Sequence, residues 1–140
     1  SRVAGTFVTS DSLQNIRGIT QEEKSGDLYV TAWHAVYRIT YTQRTVTLIS
    51  GGTHYSYGYR GSTLLDSRFN NPNALIFIIP DTLLLADTDN NKLRLVDMKS
   101  GQVTTLNVRS SLNYPRSLLL TNDSLYVGQV VKITQYKCEY

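Results

Sequence analysis

The side chains with chemical reach in this chain are few: two histidines, one tryptophan, one cysteine and ten tyrosines. Trp33 and His34 stand together in TAWHAVYR, where a short polar turn would suffice to join two strands. A large aromatic at a loop tip commonly anchors a ligand or partner. The plain alternative is that Trp33 folds back on its neighbours. Tyr55, Tyr57, Tyr59 and Arg60 follow in a Gly/Tyr/Ser-rich connection. Tyrosine offers large contact area at small entropic cost, which suits recognition, although the same rings can pack internally. Trp33, His34, Tyr57, Tyr59 and Arg60 are therefore candidate ligand contacts.

Catalysis finds less support. A catalytic zinc usually takes three protein ligands, and His34 and His54 are the only histidines. The lone Cys138 excludes an internal disulfide and a thiolate cluster; it can pair outside the chain or remain a free thiol. The cluster Asp87, Asp89, Asn90, Asn91 has the look of a calcium loop. However, Lys92 and Met98 stand where an EF-hand needs its glycine and its closing carboxylate, so the cluster reads as a turn. Neither a Gly-x-Ser-x-Gly elbow nor a phosphate-binding glycine loop is present. No catalytic residue, metal or cofactor is assigned.

The bulk numbers bound the partners. With 41% hydrophobic and 18% charged residues and three prolines, the chain has the composition of a folded protein. A net charge of +3 comes from basic residues scattered singly, which argues against a nucleic-acid surface. No apolar run is long enough to span a membrane as a helix. The chain starts at Ser1 with no visible leader, as expected of a processed form or an excised piece.

The elements that must hold these residues repeat. GDLYVTAWHAVYRIT (26–40), DTLLLADTDNNKLRLVD (81–97) and DSLYVGQVVKIT (123–134) each pair two apolar strands, the second with a basic residue: Arg38, Arg94 and Lys132. A short apolar segment precedes each pair, and TVTLIS and QVTTLN follow the first two. The unit is a four-stranded meander of the length of a propeller blade. A single 1–140 domain is expected, with blades at about 15–50, 71–107 and 114–140 and an outer strand at 1–5. On this reading Arg17, Asn73 and Arg116 share a ring around the central channel, and the arginines offer an anion-binding rim or, more plainly, solvated salt bridges.

The middle unit resembles an NHL repeat through Arg68, Phe69, Asn70, Pro72, Ala86, Asp87, Asn90, Lys92, Leu93, Arg94 and Asp97. The resemblance is strong from about Val46 to Leu106 and weaker in the outer units. It implies an all-β, NHL-type β-propeller, of which this chain supplies three four-stranded blades. NHL-type propellers usually have six blades. The third unit lacks a fourth strand and the N-terminus carries a spare one, so two copies exchanging residues 2–5 would close a ring. The competing expectation is a piece of a longer propeller. The resemblance also brings in amidating lyases, whose histidine-rich metal centre this chain does not match.

The expected function is a non-enzymatic binding module presenting a propeller face to a protein or glycan ligand. A propeller lyase or hydrolase with a channel site and a single-stranded RNA binder are the alternatives. An extracellular location is expected from the tyrosine and threonine content, the Asn122-Asp123-Ser124 sequon and a possible intermolecular disulfide.

Overall fold

The computed structural model describes residues 3–138. Eleven strands form three antiparallel sheets. The first contains β1 (Ile16–Gln21), β2 (Leu28–Ala32), β3 (His34–Ile39) and β4 (Val46–Gly52); the second contains β5 (Ala74–Ile79), β6 (Thr82–Asp87), β7 (Lys92–Asp97) and β8 (Gln102–Leu106). The third contains β9 (Ser117–Leu120), β10 (Ser124–Gly128) and β11 (Ile133–Lys137). The sole helical segment among the described residues is one 3-10 turn, Thr88–Asn90. Each sheet is a meander with strands in chain order, and the first strands β1, β5 and β9 lie side by side. This is the architecture of β-propeller blades around an axis.

Why these strands stack is legible in β6, TLLLAD, which is buried along its whole length. Successive side chains point to opposite faces. Leu83 and Leu85 pack with Tyr29, Val36 and Phe69 toward the first blade. Leu84 and Ala86 pack with Leu93, Leu125 and Val127 toward the third. A strand covered on both faces needs a continuous apolar run, and each fully buried leucine contributes about 1.5–3 kcal/mol. The first blade's far face is covered by Phe7, Val8 and Leu13.

The lead-in to each inner strand repeats more faithfully than the strands do. Asn15, Asn71 and Tyr114 all have φ between 48° and 60°, and each lies two residues before Arg17, Asn73 and Arg116. The Asn73 and Arg116 N–H groups donate to the carbonyls of Ala86 and Gly128, and Ile16 pairs with Ala32. Ala32, Ala86 and Gly128 are therefore equivalent positions.

That register corrects the sequence alignment. Counting back, Leu28 matches Thr82 and Ser124, one position short of Leu83 and Leu125. A one-residue slip moves a side chain to the other face, and Leu28 packs on the first blade's far side while Tyr29 takes the place expected for Leu28. Arg38, Arg94 and Lys132 likewise are not one structural position. Arg94 is fully buried beside Asp87, Arg38 is ion-paired with Asp27 at the opposite end of its blade, and Lys132 precedes β11. The turns between paired strands differ in length, and counting from the first leucine cannot absorb that difference.

The expected outer strand falls at residues 1–5. Ser1 and Arg2 lie outside the described residues, and Val3 to Gly5 are exposed without strand pairing in the single chain. The β11 edge carries no fourth strand among the described residues.

Candidate functional site

Because strands alternate in direction, the β2–β3, β6–β7 and β10–β11 turns lie at the same end as the beginnings of β1, β5 and β9. The long connection from β4 to β5 begins and ends at this face, while its middle, Ser62 to Leu64, runs beside Gly101 to Val103 at the other end of β8. The seven residues singled out from sequence lie on these turns, strand beginnings and the connection.

The centre of the face is the turn at Trp33. Ala32 pairs with Ala35, so Trp33 and His34 are the two central residues of the tightest possible hairpin. Trp33 has φ 52°, a conformation that hairpins usually assign to glycine and that is a true outlier for a bulky residue. His34, the second turn residue, points inward instead of into solvent. It opens β3 and is 5% exposed.

His34 works as a clamp between this turn and the connection. Its Nδ1 accepts the Asn71 N–H at 3.1 Å, which leaves the imidazole proton on Nε2. Burial lowers its pKa below the ordinary value, and the positive field of His54 acts in the same direction. The ring is thus held neutral, as an acceptor must be. The close approach of the connection depends on Gly51 and Gly52. A Cβ on Gly51 would overlap the His34 carbonyl, and one on Gly52 would overlap the Ser56 carbonyl.

On this base the rings assemble. Trp33 stacks on His54 with centroids 3.7 Å apart, and His54 stacks on Tyr55 at 4.2 Å. Tyr57 lies 5.3 Å from His34 at a steep angle. Tyr55 is 86% exposed, so the stack ends in an open aromatic face. Together with Asn70 and Asn71 these rings line a shallow cleft of about 370 Å³.

A buried ion pair holds the cleft from beneath. Asp87 and Arg94 are both fully buried and paired at 2.9 Å. Asp87 also accepts the Asn70 N–H and the Asn90 amide, each at 2.8 Å. Arg94 donates to the carbonyls of Arg68 and Arg60 at 3.1 and 2.8 Å, and Asn90 donates to that of Gly58 at 2.7 Å. Four points of the connection, from Gly58 to Asn70, are thereby tied to the β6–β7 hairpin. Asn71 donates through Nδ2 to Asp89 at 2.7 Å. The Asp/Asn cluster is a turn, as expected, and its side chains fasten the connection.

The structure divides the candidates by radius. Trp33, His34 and Tyr57 come together. Tyr59 lies farther out, bonding Thr105 through its hydroxyl at 2.8 Å and covering the Arg94 guanidinium with its ring at 4.7 Å. Arg60 contributes its backbone, pairing with Arg68. Arg17 donates to the Asn73 side chain at 3.1 Å, linking two inner strands, and Arg116 is exposed where β9 begins. The cleft residues His54, Asn70 and Asn71 are not assigned to a site from sequence, and Tyr55 is noted in the tyrosine-rich connection without being named a ligand contact. The available signal was the position of His54 and Tyr55 just after Gly51-Gly52, a pair that permits tight folding back. Among the described residues no group of three or more His, Cys, Asp or Glu is arranged to hold a metal ion, and no helix is long and apolar enough to cross a membrane.

No family model and no curated protein matches the chain. Solved structures do. A protein of unknown function from Bacteroides thetaiotaomicron is similar with a TM-score of 0.74 at 16% identity, over 85% of this chain and 34% of that one. An auxiliary nutrient binding protein from Bacteroides ovatus gives 0.71 at 19% identity, over 89% and 38%. A catalytically inactive virginiamycin B lyase from Staphylococcus aureus, solved with quinupristin, gives 0.56 at 14%, over 94% and 44%. The chain spans between a third and a half of the length of these structures. At such identities the likeness is one of fold, and the chain is a set of three blades of the β-propeller type.

Proposed function

We propose that these blades form a non-enzymatic binding module of NHL type, whose aromatic cleft at Trp33, His54, Tyr55 and Tyr57 engages a protein or glycan ligand. The observation that carries the reading is the solvent-facing ring stack built on a backbone conformation unfavourable to tryptophan. Strain of about 1–3 kcal/mol persists where the surroundings impose it, and such sites cluster where ligands bind. A stack serving only packing would bury its last ring, and Tyr55 is exposed. The NHL assignment is supported by the work its motif residues do: Asp87, Asn90 and Arg94 fasten the connection, and Phe69 fills the core between the first two blades. An extracellular setting is supported by the sequon at Asn122.

Trp33 is the only tryptophan, so its emission reports the cleft directly. Titration with panels of oligosaccharides, short peptides and single-stranded RNA is expected to give a saturable change for at least one class. Tyr55→Ala and Tyr57→Ala should weaken it at least tenfold. A response unaffected by both substitutions would move binding elsewhere. An RNA response that falls steeply with salt would support the nucleic-acid alternative instead.

A further inference from the structure

We propose that the cleft takes the apolar face of a neutral pyranoside. This inference rests on the binding reading above and narrows its ligand. The lining consists of Trp33, His34, His54, Tyr55, Tyr57, Asn70 and Asn71, with no lysine, arginine, aspartate or glutamate among them. An anionic ligand would find no counter-charge in the cleft, and phosphate contacts dominate nucleic-acid affinity. A cationic ligand would find rings but no carboxylate, since Asp89 is not among the lining residues and its Oδ2 already receives the Asn71 amide.

What the cleft offers is flat aromatic surface beside neutral hydrogen-bonding groups. Tyr55 presents one open face, its other face resting on His54 and, through it, on Trp33. A ring held by two others loses little freedom when a ligand stacks on it. Asn70 spends its backbone N–H on Asp87 and its carbonyl on the Asp89 N–H, so its position is fixed from both sides where it lines the cleft. Amide and phenol groups can each donate or accept, which matches the ambivalence of sugar hydroxyls. A pyranoside presents that combination: axial C–H groups on one face and hydroxyls around its edge. The shallow, open shape suits one sugar unit of a longer chain more than an enclosed small molecule.

The test uses the full chain and a panel of neutral gluco-, galacto- and manno-configured oligosaccharides, read by Trp33 emission and by calorimetry. At least one is expected to bind with a Kd near the millimolar range, about 4 kcal/mol. Tyr55→Ala and Asn70→Ala should each weaken it tenfold or more, and Lys99→Ala on the opposite face should leave it unchanged. No saturable response to any neutral sugar overturns the pyranoside proposal. If peptides or acidic ligands then bind in a Tyr55-dependent manner, the binding reading stands with a different ligand; if nothing binds, both fall.

Discussion

Trp33 and His34 occupy adjacent positions and illustrate two kinds of commitment by a side chain. For Trp33, the left-handed backbone costs about 1–3 kcal/mol, whereas an aromatic stack contributes about 0.5–1.5 kcal/mol. Strain and stacking are of similar size, and the half-buried ring adds burial to the stack. Trp33→Gly is therefore expected to change stability by no more than about 1 kcal/mol in a urea titration while removing ligand binding; a larger loss would mean that the ring is a structural anchor. His34 is committed to neutrality. Its pKa is depressed in the folded state, chiefly by burial and next by His54, with Asp89 opposing and Arg17 reinforcing the shift. The unfolded chain then binds more protons just below the ordinary value of 6.5, so stability increases with pH there. The contribution of His34 is complete above 6.5 and is lost as pH falls through the depressed value. Protonation also turns Nδ1 from acceptor to donor, facing the Asn71 N–H. Urea unfolding between pH 5 and 8 should show this slope, and His34→Gln should flatten it.

At the scale of elements, the β6–β7 hairpin and the connection from β4 to β5 behave as one unit because Asp87 and Arg94 join them out of water. Breaking a buried pair by removing one partner strands the other charge and costs about 3–5 kcal/mol, whereas replacing both with apolar groups costs much less. Asp87→Ala is expected to lose stability in that range and to release the cleft, since Asn70 loses its anchor. Adding Arg94→Met should restore part of the stability, because no charge is then left alone. Additive losses in the double variant would show that the pair does not couple. Sequence made this unit legible: the Asp/Asn turn, the flanking strands and the NHL-like spacing of Asp87, Asn90 and Arg94 are all local. It did not reveal that Arg94 grips the carbonyls of Arg60 and Arg68, because backbone acceptors carry no residue signature. For the same reason the sequence places His34 in its turn without showing that it clamps Asn71, 37 positions away.

For the molecule as a whole, blade order and strand count were legible because turns rich in Asp, Asn, Ser and Gly punctuate apolar runs of strand length. Equivalence between blades was not, because a one-residue slip at Leu28 is invisible until the pairing is seen. What the blades leave uncovered sets the last prediction. The middle blade is buried on both faces and the first is covered by Phe7, Val8 and Leu13. The third exposes Leu119 at 59% and Ile133 at 76% on its far face, beside the unpaired edge of β11. In a propeller such a face receives another blade, and an open strand edge invites pairing. A two-copy ring, the arrangement expected from the strand count, predicts that the chain sediments at twice 15.8 kDa. Leu119→Lys with Ile133→Lys should then convert it to single chains, since each lysine would have to be buried at the joint. Deleting residues 1–5 should weaken the pairing without unfolding the blades if those residues supply the missing strand. A wild-type chain that sediments at 15.8 kDa would exclude the second copy, leaving the face to blades of other origin. Equal masses for the wild-type dimer and the lysine variant would put the joint elsewhere on the molecule.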